Sequence, residues 1–269
     1  MKTCLNTATT RGYPLEEDIR YCGHFGFEGI EIDTDKLDAY LAANSVDQLK
    51  RLLDGWGLAC AALMAFPFYP FGDRTAALDK VRKYAPICKA LGCRTLLCFI
   101  CEAAPDGMDR TEAIQIAGAA AREYAYVADG LQIALEAIGG AKFMRRPEEA
   151  LVVAEAADHR NAGYMIDTFH GYKAGLTAAD IAGLRAEKLF IVHINDCEDL
   201  PREQLTDANR LYTGLGIIPL NDYLWSLKGL GYDGYLSVEI FREEYWRDTH
   251  ENIIRNALEH LKATMAAVG

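Results

Sequence analysis

The chain has 269 residues, 51% hydrophobic and 25% charged, the balance of a folded globular protein with a sizeable core, which excludes a disordered or fibrous chain. Its 28 Lys and Arg stand against 39 Asp and Glu, a formal net charge of −11, which argues against phosphate-rich partners such as nucleic acid or an anionic membrane. Eight cysteines are too few for a disulfide scaffold and read as small buried hydrophobes in a reducing, cytoplasmic compartment, and no run of about 18 apolar residues marks a membrane span.

In chain order, short apolar runs alternate with helical patterns. The strand candidates are 3–6, 29–33, 59–64, 95–101, 132–136, 163–167, 190–193 and 235–239. Helical patterns fill the spaces between and after them. The first, 14–25, begins with Pro14, suited to a first helical turn, and the second, 45–56, has Ser45 as its N-cap. The others are 76–91, 111–129, 147–158, 178–184, 221–230 and 249–265. Helices repeatedly run into a glycine before the next strand: Gly26, Gly57, Gly92, Gly130 and Gly231. That is the left-handed position at which helices stop. Eight strands and eight helices in strict alternation predict an α/β protein, a (β/α)8 TIM barrel formed by residues 1–269 as one domain. An open doubly wound sheet is disfavoured, because residues 6–12 after the first strand lack a Gly-rich phosphate loop.

In such a barrel the C-terminal strand ends line the mouth where the chemistry sits. The fifth strand ends on Glu136, the sixth on Asp167, the seventh on His193 and the eighth on Glu239. Any one of these alone reads as a solvated loop residue. Four on successive strands, at one edge, read as a metal site. Three carboxylates in an apolar mouth repel one another and take up protons unless a cation intervenes. Three oxygens and one nitrogen suit one divalent ion (Mn, Zn, Co or Mg) rather than a soft thiolate-bound metal. His170 and Asp196 each lie three residues beyond a ligand, and Glu31 sits among apolar neighbours in the second strand. These three, with Arg210 and Arg242, are the candidates for holding substrate. The plainer alternative for each is a cap, a wall or a surface residue. The aromatic segment 66–71 reads as a loop that walls or covers the mouth, or simply packs. Segment 212–216 reads as a backbone turn that approaches a ligand.

These residues resemble the xylose-isomerase-like barrels, a family that includes sugar isomerases and epimerases. Its one-metal site falls on Glu136, Asp167, His193 and Glu239. The resemblance runs over most of the chain, through Leu5-Asn6-Thr7-Ala8-Thr9-Thr10, Ile30-Glu31-Ile32-Asp33, Ile166-Asp167-Thr168-Phe169-His170, residues 193–199 and 205–207, and Ser237-Val238-Glu239-Ile240-Phe241-Arg242. Within the family the chain is most similar to the bacterial inosose isomerases. It departs from that group at Thr7, Lys173, Leu215 and Pro219, where Glu, His, Gln and Asp are expected. The resemblance implies a divalent-metal-dependent isomerase of a small polyol ketone, an inosose, acting by proton transfer through an enediolate. Glu136 and Glu239 would be the catalytic carboxylates as well as ligands. A ketose 3-epimerase or an inosose dehydratase of the same fold is the alternative, and a non-catalytic sugar-binding barrel is a further one. The three-metal apurinic endonucleases of the same superfamily need additional histidines. Here none lies between His24 and His159, or between His193 and His250. No nucleic-acid or membrane partner is expected, and self-association is left open.

Overall fold

A computed structural model describes residues 1–269. The barrel strands are β1 (Lys2–Asn6), β2 (Gly29–Asp33), β3 (Ala59–Phe68), β4 (Thr95–Ile100), β5 (Gln132–Glu136), β6 (Ala162–Asp167), β7 (Leu189–Ile194) and β10 (Tyr235–Val238). Neighbours pair in parallel all the way round, and β10 pairs with β1, so the barrel closes. The loop between β7 and β10 contains a short antiparallel pair, β8 (Asp196–Cys197) and β9 (Arg210–Leu211). The expected helices are present as α1 (Leu15–Phe25), α3 (Val46–Gly55), α4 (Thr75–Ala90), α5 (Arg110–Val127), α6 (Pro147–Ala156), α8 (Ala178–Ala182), α9 (Leu220–Leu230) and α11 (His250–Ala266). None is long and apolar enough to cross a membrane.

Three helices lie outside the sequence expectation: α2 (Thr34–Leu41), α7 (Thr168–Lys173) and α10 (Glu243–Trp246). Two of them start with no intervening loop, because the last carboxylate of the strand is also the N-cap. Asp33 accepts from the Asp35 amide, and Asp167 accepts from the Phe169 and His170 amides. The strand β3 also runs past its expected end and absorbs Phe66 and Phe68. Both are buried against the helix ring, edge-on to Tyr84 of α4 and Tyr124 of α5 at 5.7 and 5.3 Å. They are core, not a lid. Phe71 beyond them packs edge-on to Phe143 at 5.0 Å.

Side chains alternate along each strand between the helix ring and the barrel interior. The ring-facing row is apolar throughout, including Leu5, Ile30, Ile32, Leu63, Leu96, Ile166, Val192 and Val238. The interior row divides in two. On β3 to β6, below the strand-end Glu136 and Asp167, it is Ala62, Met64, Leu97, Ala134 and Met165, with Ile191 two residues before His193 on β7. On β1, β2, β7 and β10 it turns polar: Asn6, Glu31, His193 and Ser237 are all 0% exposed. A bulge lies at the boundary between the two halves. The β2–β3 register steps from Ile30 opposite Cys60 to Glu31 opposite Ala62, and bulges of this kind re-aim a side chain.

Candidate metal centre

Strand register brings the four candidate ligands together. Asp167 and His193 are direct partners across β6 and β7, Glu136 closes β5, and Glu239 follows β10 by one residue. All four are nearly buried, and one ligand atom from each lies within 4.8 Å of the others. The His193 Nδ1 atom faces Glu239 Oε2 at 3.0 Å, Asp167 Oδ2 at 3.7 Å and Glu136 Oε1 at 3.8 Å. Only the Glu239 contact is within hydrogen-bonding distance, and it is not aligned as one, so this buried nitrogen has no hydrogen-bond partner. An orphaned buried imidazole nitrogen costs free energy unless something binds it. Ligands of one divalent ion at about 2.0–2.2 Å are at most about 4.4 Å apart, close to the span found here. The donor chemistry, the spacing and the free nitrogen fit a single divalent metal site.

Each ligand is held from outside. Asp167 gives Oδ1 to the cap of α7, accepting from the Phe169 and His170 amides, and keeps Oδ2 for the site. Asn6 Nδ2 donates to Glu239 Oε1 at 3.1 Å, while its own Oδ1 accepts from the Ala8 amide. Asn195 Nδ2 donates to the Glu239 carbonyl at 3.1 Å, and Thr168 Oγ1 donates to Asn195 Oδ1 at 2.9 Å.

Arg210 comes from β9, 43 residues after Asp167, and is 1% exposed. Its NH1 donates to Asp167 Oδ2 at 2.7 Å and to Glu239 Oε2 at 3.2 Å. Its Nε donates to Asp207 at 2.9 Å, and its NH2 to His170 Nε2 at 3.2 Å. The rings of Phe169 and Phe241 lie 4.7 and 5.4 Å from the guanidinium carbon, a cation–π setting that keeps it in place.

The electrostatics follow from this crowding. Burial pushes the Glu136 carboxyl well up, and Glu239 and Asp167 add to the rise against the opposing pull of His193. Burial also raises Glu239, with His193 and Arg210 opposing. Burial works the same way on Asp167, but Arg210, His170 and His193 outweigh it and hold that carboxyl well below its usual range. Burial lowers His170 to about 4, with Asp167 opposing and Arg210 reinforcing the shift. It is therefore neutral near pH 7. Its Nε2 accepts from Arg210, so the proton sits on Nδ1, which is buried without a partner.

Of the five residues expected to hold substrate, His170 and Arg210 lie beside the four ligands. The other three are placed elsewhere. Glu31 is sealed behind His193, with both carboxylate oxygens 3.0–3.1 Å from Nε2. Asp196 is buried and accepts from the Cys197, Gly214 and Ile218 amides, so it organises a loop. The turn 212–216 closes onto that same carboxylate: the Gly214 amide donates to it, and a Cβ on Gly216 would meet Asp196 Oδ1 at 2.6 Å and the Cys197 carbonyl at 2.0 Å. Arg242 pairs with Glu198 at 2.7 Å and Glu244 at 2.8 Å on the rim. Sequence reasoning missed Asn6, Asn195, Asp207, Phe169 and Phe241. Asn6 was within reach, since it ends the first strand as the ligands end theirs.

Residues 19–264 match the model of a family described as xylose isomerase-like TIM barrel. The chain is 32% identical to an inosose isomerase of Bacillus velezensis, over 99% of this chain and 98% of that protein. It is 31% identical to the inosose isomerase of Bacillus subtilis, over 96% and 95% of the two chains. A crystal structure of the IOLI protein with a bound zinc atom superposes on all of this chain and 99% of that one, with a TM-score of 0.93 at 29% identity.

Proposed function

The chain belongs to the xylose isomerase-like TIM-barrel family, and from that premise we propose that it is a divalent-metal-dependent isomerase of a polyol ketone, with an inosose as its substrate. The observation that carries this reading is the unpartnered His193 Nδ1 amid three carboxylates from neighbouring strands. The inosose isomerases that match nearly the whole chain supply the substrate class. Glu136, Asp167, His193 and Glu239 would hold the ion.

Isomerisation moves a carbonyl to the adjacent carbon. A proton must leave the carbon beside the carbonyl and return to the former carbonyl carbon, while a second passes from the neighbouring hydroxyl oxygen to the former carbonyl oxygen. A divalent ion held by Glu136, Asp167, His193 and Glu239 would supply the Lewis acidity that acidifies that carbon. Glu136 and Glu239 are the carboxylates we assign to proton transfer. Glu239 is pinned at both oxygens by Asn6 and Arg210, which gives a proton acceptor of fixed direction. Glu136 accepts no such bond, which leaves its carboxylate free to take up and return the proton. His170 presents the Nδ1 proton as a donor to a substrate oxygen, and Arg210 adds a fixed positive charge beside the developing negative charge.

All eight cysteines are free, seven of them buried, which supports a cytoplasmic setting. The function is tested by incubating the protein with inososes and ketohexoses in D₂O, with added Mn²⁺, Co²⁺, Zn²⁺ or Mg²⁺, and following products by proton NMR. The expected result is deuterium incorporation together with a rearranged inosose. Formation of a dione, with loss of water, would replace isomerase by dehydratase. An inverted ketohexose would replace it by epimerase.

A further inference from the structure

Glu31 has no place in the proton transfer just described, and its setting is unusual. It lies on β2, inside the barrel, with 0% exposure. No lysine or arginine pairs with it; its only ion-pair partner is His193. Its carboxylate oxygens are 3.0 and 3.1 Å from His193 Nε2, and Ser237 Oγ donates to Oε2 at 2.7 Å. The bulge between β2 and β3 sets Glu31 against the small Ala62, which leaves room for it to reach across the interior to β7.

We propose that Glu31, braced by Ser237, is a positioning residue that holds His193 with its proton on Nε2 and so aims the Nδ1 lone pair at Glu136, Asp167 and Glu239. The proposal rests on the metal reading of those residues. Its logic is a competition between two tautomers. The imidazole that binds an ion carries one proton. On Nδ1 that proton would face Glu239 Oε2 at 3.0 Å, and the nitrogen would be closed to an ion. On Nε2 it meets a buried carboxylate that has no other charged partner, and Nδ1 stays free. Removing Glu31 abolishes the reason to prefer the second state. Asn6 Nδ2, 3.5 Å from Nε2, cannot substitute, because it is a donor. A carboxylate behind a metal-binding histidine typically governs metal affinity by about 10–100-fold.

Two readouts separate this proposal from the reading it rests on. The first is the His193 ring Nε2–H resonance in ¹⁵N-histidine-labelled protein, recorded with and without Zn²⁺. The second is Zn²⁺ affinity by chelator competition. In Glu31→Gln, the ring-proton resonance should move upfield and Zn²⁺ affinity should fall by about 10–100-fold, with the thermal transition still cooperative. Ser237→Ala leaves the carboxylate in place and should lower affinity by a smaller factor in the same direction, which keeps the test available if Glu31→Gln fails to fold. An unmoved ring proton, or Zn²⁺ affinity within about twofold of wild type, overturns the proposal. Wild-type protein that takes up no Zn²⁺ overturns the metal reading and the aiming role with it, whereas wild-type protein that binds Zn²⁺ beside an unaffected Glu31→Gln overturns the aiming role alone.

Discussion

Two buried histidine–carboxylate pairs occupy different layers of the barrel. In the interior, His193 Nε2 meets Glu31. In the helix ring, His250 Nε2 meets Asp18 Oδ1 at 2.7 Å. Both histidines are nearly inaccessible and both acids are 0% exposed. They differ at the second nitrogen. His250 Nδ1 faces Glu17 at 3.3 Å, its ring stacks on Tyr13 at 4.2 Å, and Asp18 also binds Lys36 Nζ at 2.6 Å. Lys36 in turn donates to the Thr10 carbonyl at 2.7 Å. Every polar group there has a partner, so the pair ties α1, α2 and α11 together and has nothing left to offer a ligand. His193 keeps Nδ1 free, where three carboxylates converge. A histidine with a carboxylate behind it is scaffolding by default. It becomes a site when its other nitrogen is left unpaired among further ligands.

That contrast can be broken by substitution. The largest effect is expected on the interior side, from Glu239→Gln. The amide fills the same space, is a poorer metal ligand and cannot accept a proton. Turnover should drop by about 10²–10⁴-fold with the fold intact, as steady-state kinetics and circular dichroism would read. Next comes His170→Ala, which removes the free Nδ1 donor. The loss of one hydrogen bond, about 1–1.5 kcal/mol, corresponds to roughly tenfold in kcat/KM, while metal analysis should still return near one ion per chain. Retained activity in Glu239→Gln beside an emptied metal site in His170→Ala would reverse the assigned roles.

On the outer side, His250→Ala should leave metal content unchanged and lower stability by about 1–3 kcal/mol, the usual penalty for stripping a partner from a buried polar group. Asp18 keeps Lys36, which holds the loss below that of a fully orphaned charge. Urea denaturation measures it, and a loss of bound metal would show that the two layers are not independent. The smallest effect is expected from Arg242→Ala on the rim. Its partners Glu198 and Glu244 are substantially exposed, and such pairs contribute about 0–1 kcal/mol. A large rise in KM would return Arg242 to the substrate shell.

The residues that sequence reading placed well are those whose role follows from local order. Glu136, Asp167, His193 and Glu239 each close or follow a strand, and strand ends can be found from alternating apolar runs and the glycines that stop helices. The boundaries failed where one residue did two jobs. Asp167 ends β6 and caps α7 at once, so the helix it starts was invisible as a separate pattern. The Phe66 and Phe68 pair failed for a different reason. Prolines at 67 and 70 look like loop signals, yet ring contacts with Tyr84 and Tyr124 keep the segment extended and buried.

From the chain alone, then, came the alternation that makes a barrel and the ligand types at four of its strand ends, because both depend on periods of a few residues. Closure of the barrel decided the rest. It brought Glu31 behind His193 across 162 positions of sequence, and Asn6 to Glu239 across 233. It also turned Arg210 inward between two rings and left Asp196 and Arg242 holding loops. Strand periodicity tells which face a side chain takes, but not what stands opposite once eight strands have met. Which nitrogen of His193 is free is a property of that meeting.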